Sequence, residues 1–445
     1  MTSASTEQVS PKTLRKVIVA AAIGNFVEWF DFAVYGFLAT TIAQQFFPSG
    51  DSGAALLKTF AVFAVAFAFR PLGGIFFGML GDRIGRKRTL AMTILLMAGA
   101  TTLIGVLPTY AAIGVVAPIL LTLIRCAQGF SAGGEYAGAC AYLMEHAPND
   151  KRAWYGSFLP VSTFSAFAAA AVVAYALEAS LSAEAMGSWG WRLPFLIAAP
   201  LGLVGLYLRW KLDETPAFQA VKEEHAVAHS PLKETLRNHG AAICCLGAFV
   251  SLTALSFYMF TTYFATYLQV AGGLSRATAL LVSLIALIFA AAICPLAGLF
   301  SDRVGRRATV VTACALLIVA VYPSFLMASS GGFAASIVGV MLLAIGAVLC
   351  GVVTAALLSE TFPTRTRYTA SAITYNMAYT LFGGTAPLVA TWLISTTGSN
   401  LSPAFYLIAV ALLALAGGLA LPETSRISLH DVAPQGKGAR VAAAL

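Results

Sequence analysis

The feature that most constrains this chain is a series of apolar segments that recurs along nearly all of its 445 residues. Most segments reach the length of about 18 residues at which a helix can cross the roughly 30 Å hydrocarbon core of a bilayer. Only 10% of the residues are charged, whereas an ordinary soluble domain carries about 25%. Because this composition cannot cover a water-soluble surface, the sequence predicts an all-α membrane protein.

Polar residues divide the apolar segments into twelve predicted spans. Their approximate positions are 17–44, 56–80, 89–107, 112–143, 155–178, 192–210, 240–270, 276–300, 308–328, 332–358, 368–395 and 402–421. The first segment shows no signal-peptide cleavage pattern, so we expect it to stay in the mature protein. Placing both termini in the cytoplasm puts most Lys and Arg residues on that side, as the positive-inside rule requires. The net charge of +8 is therefore attributed to membrane topology and not to nucleic-acid binding.

Three motifs occur twice, in the same order. They are GMLGDRIGRKR at 78–88 and GLFSDRVGRR at 298–307, Glu145 with Arg152 and Glu360 with Arg367, and DETP at 213–216 and PETS at 422–425. Self-similarity of this kind indicates an internal duplication. We predict the following organisation: tail 1–16, six-helix bundle 17–210, linker 211–239, six-helix bundle 240–421 and tail 422–445.

The repeated motifs lie at the predicted cytoplasmic ends of the spans, where acidic and basic residues can form charge-assisted hydrogen bonds. Gly85 and Gly305 permit tight turns, and Asp82 and Asp302 are placed to meet a helix N-terminus or a basic partner. We predict a cytoplasmic gate that opens when these bonds break. The candidate gate residues are Asp82, Arg83, Arg86, Glu145, Arg152, Asp302, Arg303, Arg306, Glu360 and Arg367.

The duplicated motif resembles the signature of the major facilitator superfamily. Four further strings resemble the metabolite:proton symporter family: GNFVEWFDF at 24–32, FRPLGG at 69–74, QGFSAGGEY at 128–136 and WGWRLPF at 189–195. That family includes alpha-ketoglutarate and citrate permeases and the proline/betaine transporter. The resemblance implies a major facilitator fold with two pseudo-symmetric six-helix bundles. It also implies proton-coupled transport by alternating access, by a monomer in the bacterial inner membrane.

Five charged residues interrupt the predicted spans of the first half: Glu28, Asp31, Arg70, Arg125 and Glu135. Lipid tolerates such residues only when they are paired or face an aqueous cavity. Arg70 is therefore expected to meet an acid on a neighbouring helix. Because spans 1 and 4 line the central cavity in the fold that the chain resembles, Asp31 and Arg125 could meet there. Asp31 is the leading candidate for the proton site and Glu135 and Glu28 are alternatives, while a static ion pair is the simpler interpretation of each.

Arg125 and Arg70 are candidate ligands for a substrate carboxylate, because a guanidinium can hold a carboxylate with two hydrogen bonds. The other candidate ligands are Tyr35, Tyr258, Thr262, Tyr263, Asn376 and Tyr379. We predict uptake of a small organic acid, a di- or tricarboxylate such as alpha-ketoglutarate. The alternatives are proline or betaine, held through its ammonium group by aromatic faces, and a receptor or an exporter of the same fold. The lack of heptads after span 12 argues against an osmoregulator.

No nucleotide-binding lysine motif, catalytic triad or metal-ligand spacing occurs in the sequence. We therefore expect a protein that is not an enzyme and has no cofactor, no metal site and no nucleic-acid partner. Its expected partners are the organic acid, protons and the lipid bilayer. The glycines of span 4 predict close helix packing of the small-xxx-small kind.

Overall fold

The computed structural model describes residues 11–48, 52–211, 214–215, 218–219, 231–427 and 429. Regular structure in these residues is helical throughout. The helices are Pro11–Phe37, Ala39–Phe46, Ser52–Ile84, Arg86–Val106, Tyr110–Ile113, Val116–His146, Arg152–Gly156, Phe158–Ser180, Ala183–Ser188, Gly190–Arg192, Leu193–Trp210, Pro231–Tyr258, Met259–Tyr263, Phe264–Val270, Arg276–Val304, Arg306–Ser329, Phe333–Glu360, Arg367–Ala378, Tyr379–Gly383, Ala386–Thr397 and Ser402–Leu419.

Twelve helical segments in the described residues are long and apolar enough to cross a membrane. We number them spans 1 to 12: Leu14–Phe37, Ala61–Ile84, Arg86–Val106, Val116–His146, Arg152–Leu177, Gly190–Trp210, Leu232–Val270, Ala277–Val304, Arg306–Ser329, Phe333–Glu360, Arg367–Thr397 and Ser402–Leu419. The all-α fold with twelve spans is thus confirmed. Spans 1 to 6 are called the first half below, and spans 7 to 12 the second half.

Most predicted span boundaries lie within a few residues of those in the structure, and the two largest differences concern spans 7 and 1. The helix of span 7 begins at Pro231, so the last residues of the predicted linker 211–239 are helical. Span 1 ends at Phe37, and a separate short helix, Ala39–Phe46, follows it. Residues 1–10, most of 212–230 and nearly all of 428–445, which belong to the predicted tails and linker, lie outside the described residues.

Spans 2 and 4 pack so closely that their backbones are in contact. A Cβ atom on Gly73 would lie 1.7 Å from the carbonyl oxygen of Phe130, and one on Gly129 would lie 1.9 Å from that of Ala66. Gly133 meets the Arg70 carbonyl in the same way, at 2.2 Å. Small residues permit this approach between membrane helices. The packing holds the backbone of Arg70 directly against span 4.

Two spans of the second half contain a π-helical turn. In span 7 it covers Met259–Tyr263, and in span 11 it covers Tyr379–Gly383. A π turn widens the helix locally and is frequent at functional sites. Both turns lie beside the aromatic cluster described in the next subsection.

The repeated motifs all lie at one end of the spans, which we call the motif end. The two halves contact each other mainly there. Span 11 packs against spans 2 and 4, and span 8 packs against span 5. Tyr368 at the start of span 11 lies in one small hydrophobic cluster with Ala137 of span 4 and Ala372 of its own span. The motif end is therefore closed by packing across the halves in this structure.

Candidate functional site

Glu28 and Arg70 form a buried ion pair at the boundary between the halves. Nη2 of Arg70 donates to Oε1 of Glu28 over 2.9 Å, and the two side chains are 0% and 1% exposed. Nε of Arg70 also donates to Oδ1 of Asn376 in span 11, at 3.4 Å. Asn376 is itself held by the carbonyl oxygen of Gly133 in span 4. We call Glu28 and Arg70 the central pair, because Arg70 connects the first half to the second.

Aromatic rings from both halves surround the central pair. The guanidinium carbon of Arg70 lies 5.4 to 5.6 Å from the ring centroids of Trp29, Phe32 and Phe67. Trp29 in turn lies 6.4 Å from the rings of both Tyr258 and Tyr379. Rings at these distances from a guanidinium attract it through their π faces.

Trp29 is held in place by a polar anchor on span 5. Its indole Nε1 donates to Oδ1 of Asn25 at 3.1 Å. The amide nitrogen of Asn25 then donates to Ser162 and Thr163, at 2.8 and 2.7 Å. Because each of these groups is buried and paired, the ring of Trp29 has a defined orientation.

Asp31 and Arg125 also form an ion pair, but within the first half. Nη1 of Arg125 lies 3.2 Å from Oδ2 of Asp31, and the amide of Gln128 donates to the same oxygen at 2.8 Å. Gln128 also donates to the hydroxyl of Thr101 in span 3. The ring of Tyr35 lies 4.1 Å from the guanidinium carbon of Arg125. In the described residues, the side chains that hydrogen-bond to Asp31 belong to spans 3 and 4 of the first half.

Glu135 has a partner that the sequence analysis did not identify. Arg209 of span 6 pairs with it through two guanidinium nitrogens, and the hydroxyl of Thr93 donates to it at 2.5 Å. Arg209 is 3% exposed. Its position in the last turn of the apolar helix Leu193–Trp210 is a sequence signal of this burial.

The remaining predicted ligands divide into two groups. Tyr258, Asn376 and Tyr379 lie at the central pair, whereas Tyr35 lies beside Arg125. Thr262 is exposed, and the ring of Tyr263 packs on Tyr267. The structure does not bring either of them to the central pair, because the π turn rotates the residues that follow Tyr258 away from the α-helical register.

Several residues at the central pair were not among the predicted ligands. They are Trp29, Phe67, Phe257, Tyr136 and Tyr375. Tyr136 of span 4 stacks on Tyr375 of span 11 at 4.4 Å, and Tyr375 stacks on Tyr379 at 3.9 Å. In the part of the chain that the structure describes, no group of three or more His, Cys, Asp or Glu residues could hold a metal ion.

At the motif end, Asp82 bonds to a helix of the opposite half. Its two carboxylate oxygens accept from the backbone N–H groups of Tyr368 and Thr369, at 3.2 and 2.9 Å. These groups belong to the first turn of span 11, where backbone donors have no partner within the helix. A carboxylate is also favoured there by the helix dipole.

Asp302 makes the equivalent bonds in the other direction. Its oxygens accept from the backbone N–H groups of Ala153 and Trp154 at the start of span 5, at 2.9 and 2.8 Å. The duplication of the motif is thus reproduced in the geometry. We call these bonds of Asp82 and Asp302, together with the ion pairs of Glu145 and Glu360, the latch.

The ion pairs of the latch also cross between the halves. Glu145 of span 4 lies 3.3 Å from Arg86 and 2.7 Å from Arg367 of span 11. In the second copy, Glu360 lies 2.9 Å from Arg306 and 3.5 Å from Arg152 of span 5. Each glutamate therefore joins one arginine of its own half to one of the opposite half. Arg83 and Arg303, which we also predicted at the gate, are exposed.

The third repeated motif completes each copy of this arrangement. Glu214 accepts from the backbone N–H groups of Arg86 and Lys87, and Thr215 donates to Glu145 at 2.5 Å. Glu423 likewise accepts from the N–H groups of Arg306 and Arg307, and Thr424 donates to Glu360. Glu214 thus caps the N-terminus of span 3, and Glu423 caps that of span 9. The turns before these two spans are made by Gly85 and Gly305, with φ of 103° and 93°.

Comparison with known proteins agrees with this architecture. The model of the Major Facilitator Superfamily matches residues 21–387. The chain therefore belongs to the Major Facilitator Superfamily. The protein is a multi-pass membrane transporter of this superfamily, and the superfamily prediction is confirmed.

Curated relatives narrow the class further. The chain is 39% identical to the glycine betaine/proline/ectoine/pipecolic acid transporter OusA of Dickeya dadantii, over 95% of the chain and 86% of that relative. It is 38% identical to the proline/betaine transporter of Escherichia coli K12, with the same coverage. The ectoine/proline transporter ProP of Corynebacterium glutamicum is also 38% identical, over 94% of the chain and 86% of that protein.

Solved structures show the same fold at low sequence identity. The proton:xylose symporter XylE, bound to 6-bromo-6-deoxy-D-glucose, superposes with a TM-score of 0.81. It is 17% identical, and the match covers 95% of this chain and 99% of that one. Likeness at this level concerns the fold alone.

Proposed function

We propose that this chain takes up a small zwitterionic osmolyte of the betaine or proline kind together with protons, by alternating access between its halves. The observation that carries the proposal is the central pair: one buried carboxylate and one buried guanidinium, at the boundary between the halves and surrounded by aromatic rings. A zwitterion carries the same two charges, so it can match this environment group by group. The relatives named for proline and betaine support the same class of substrate.

A di- or tricarboxylate, which the sequence analysis favoured, is the weaker candidate. Apart from the latch arginines, the described part of the first half has three buried arginines, and each is paired with an acid. The pairs are Arg70 with Glu28, Arg125 with Asp31, and Arg209 with Glu135. These pairs leave no net positive charge to offset two or three negative charges on a substrate. Burying uncompensated charge is costly, so a substrate without net charge is favoured.

We also propose that the protein acts as a monomer in the bacterial inner membrane, with the motif end facing the cytoplasm. The positive-inside distribution of Lys and Arg supports this orientation. Single cysteines at the exposed positions Arg307 and Glu184, introduced into a cysteine-free protein, test it in intact cells. A membrane-impermeant maleimide should label the cysteine at 184 and leave the one at 307 unlabelled. The reverse pattern contradicts the orientation.

Uptake by proteoliposomes tests the transport function. The purified protein should accumulate labelled glycine betaine and proline when the outside is made acidic, and a protonophore should abolish the accumulation. Labelled alpha-ketoglutarate serves as the comparison. Accumulation of alpha-ketoglutarate alone would return the substrate to the carboxylate class. Export alone, or binding without transport of any of the three, would favour the exporter or the receptor.

A further inference from the structure

Arg70 has hydrogen-bonding capacity that its partners do not use. Its Nη2 donates to Glu28 and its Nε donates to Asn376. Its Nη1 is buried and has no hydrogen-bond partner in the described residues, and the same holds for Oε2 of Glu28. A guanidinium binds a carboxylate through two parallel N–H donors. Arg70 can therefore accept a second carboxylate, if the first is loosened.

An aromatic corner lies beside the guanidinium group of Arg70. The rings of Trp29, Tyr258 and Tyr379 lie 6.1 to 6.4 Å from one another, and Arg70 is 5.6 Å from the Trp29 ring. Trp29 belongs to the first half, whereas both tyrosines belong to the second. The hydroxyl of Tyr258 is buried without a partner among the described residues. Such ring faces bind substituted ammonium groups, and tryptophan binds them best.

We propose that the zwitterion binds with its carboxylate on Arg70 and its ammonium group in the corner of Trp29, Tyr258 and Tyr379, and that it competes with Glu28 for Arg70. This inference rests on the proposed function and specifies its site. The three rings are in contact in this structure, so the substrate enters when the halves separate and the rings close around it.

Competition for one arginine couples the substrate to the proton. When the substrate carboxylate takes Arg70, Glu28 loses its cation. The other charged groups that face Glu28 are Glu135 and Arg209, which are paired with each other and supply no replacement cation. A buried carboxylate without a cation is charged only at a high cost in free energy, so Glu28 takes a proton from water in the open cavity. Linkage is reciprocal: a proton on Glu28 frees Arg70 and strengthens substrate binding by the same factor.

Asp31 and Arg125 also have buried atoms without a partner among the described residues, but their pair has no hydrogen bond to the second half comparable to that of Arg70 with Asn376. Arg125 and Gln128 of span 4 hold one oxygen of Asp31. In the part of the chain that is described, the residues that form ion pairs or hydrogen bonds with Asp31, Arg125 and Gln128 all belong to the first half. The geometry therefore assigns the coupling to Glu28, which the sequence analysis gave only as an alternative to Asp31.

Binding of labelled glycine betaine at a series of pH values tests the coupling. The wild-type protein should bind betaine more tightly as the pH falls. Glu28→Gln should retain binding, lose its pH dependence, and exchange betaine across a membrane without accumulating it. Glu234→Gln, which removes an acid paired with Arg365 at the motif end, is the control and should behave as the wild type. A folded Glu28→Gln protein with wild-type pH dependence, or without betaine binding, overturns the proposal.

The wild-type protein supplies a second readout that needs no variant. Addition of betaine to the protein in weakly buffered detergent solution should cause net proton uptake. The absence of proton uptake at every pH that permits binding also overturns the coupling. This measurement remains decisive if Glu28→Gln does not fold.

The aromatic corner is tested with an isostere that lacks only the positive charge of glycine betaine. In 3,3-dimethylbutanoate a carbon atom replaces the nitrogen of glycine betaine, so shape and carboxylate are kept while the positive charge is lost. Trp29→Leu should weaken betaine binding roughly 10- to 30-fold and should leave binding of the isostere nearly unchanged. Trp191→Leu, at a buried tryptophan that packs on Phe46 and Phe195, is the matched control. Equal losses for both ligands in Trp29→Leu would contradict an ammonium site in the corner.

These outcomes are separable from those for the proposed function. A wild-type protein that neither binds nor transports betaine or proline contradicts the function itself. If the wild-type protein accumulates betaine and Glu28→Gln retains pH-dependent binding and accumulation, only the competition of the substrate with Glu28 for Arg70 is contradicted.

Discussion

Asp82 and Asp302 form the same contact in opposite directions across the boundary between the halves. Asp82 of span 2 accepts from the first backbone N–H groups of span 11, and Asp302 of span 8 accepts from those of span 5. Each helix start is thus capped by an acid of the other half. Separation of the helices at the motif end must break these bonds. Closure of the motif end therefore depends on the carboxylates of Asp82 and Asp302.

Replacement of either aspartate should shift the protein toward a state open at the motif end. Asp82→Asn or Asp302→Asn removes the negative charge from a hydrogen bond that contributes about 1.5–3 kcal/mol. A cysteine at Ala137, which is 1% exposed and packs on Tyr368, reports the opening in a cysteine-free background. Its reaction with maleimide should become faster in both variants. Glu184→Gln, at an exposed position, is the control, and unchanged labelling would limit the motif to helix packing.

Asp31→Asn should leave proton-driven accumulation in place, in contrast to Glu28→Gln. Its partner Arg125 would be left buried without an acid, and the loss of one member of a buried pair costs about 3–5 kcal/mol. We therefore expect a lower midpoint of thermal unfolding and a transporter that still accumulates betaine under a pH gradient. Arg125→Met in addition should recover much of the lost stability. Failure of folded Asp31→Asn to accumulate substrate that it still exchanges would return the proton site to Asp31.

Gly85→Ala should destabilise the first copy of the latch. Gly85 has φ of 103°, which costs an L-residue of order 1–3 kcal/mol. A Cβ atom there would also lie 2.0 Å from Oε2 of Glu214, so the cap on span 3 would be displaced. Gly99→Ala in the same span is the control, because no atom lies within 4 Å of its Cβ position. The thermal midpoint should fall for Gly85→Ala and stay level or rise for Gly99→Ala.

Glu423 should make a pH-dependent contribution to stability at the motif end. Burial raises its pKa, but the backbone N–H groups of Arg306, Ser425 and Arg307 outweigh this effect and hold the pKa below the ordinary value of 4.5. A lowered pKa in the folded state means that the carboxylate stabilises the fold above the ordinary pKa. That stabilisation is lost as the pH falls through the lowered pKa.

Thermal unfolding of Glu423→Gln across a pH series measures this contribution. The variant should unfold at a lower temperature than the wild type near neutral pH, and the two midpoints should converge in acid. Glu184 does not cap a helix of the latch, so Glu184→Gln is the control. Its midpoint of thermal unfolding should equal that of the wild type at every pH. A Glu423→Gln protein whose deficit persists unchanged in acid would show that the cap does not act through its charge.

The number of spans and the duplication were readable from local patterns in the sequence. An apolar segment long enough to cross a bilayer has few alternatives to a helix, because its backbone must be satisfied internally. The latch was predictable for a related reason: Asp82 and Asp302 follow apolar segments and precede Gly85 and Gly305, so each must lie where a helix ends. Residues near a helix end share a membrane depth, which restricts their partners.

Tertiary structure alone determined which charges pair inside the membrane. Sequence spacing puts Glu28 and Asp31 on one helix, but it does not reveal that Glu28 meets Arg70 or that Glu135 meets Arg209, because rotation and neighbour choice depend on packing. The contact of Gly133 with the Arg70 backbone results from such packing. The π turn in span 7 also changed the register of Thr262, which an α-helical pattern could not anticipate. Pairing of charges and rings across two halves is therefore decided by helix geometry, since each span by itself specifies only its length, its depth and its apolar surface.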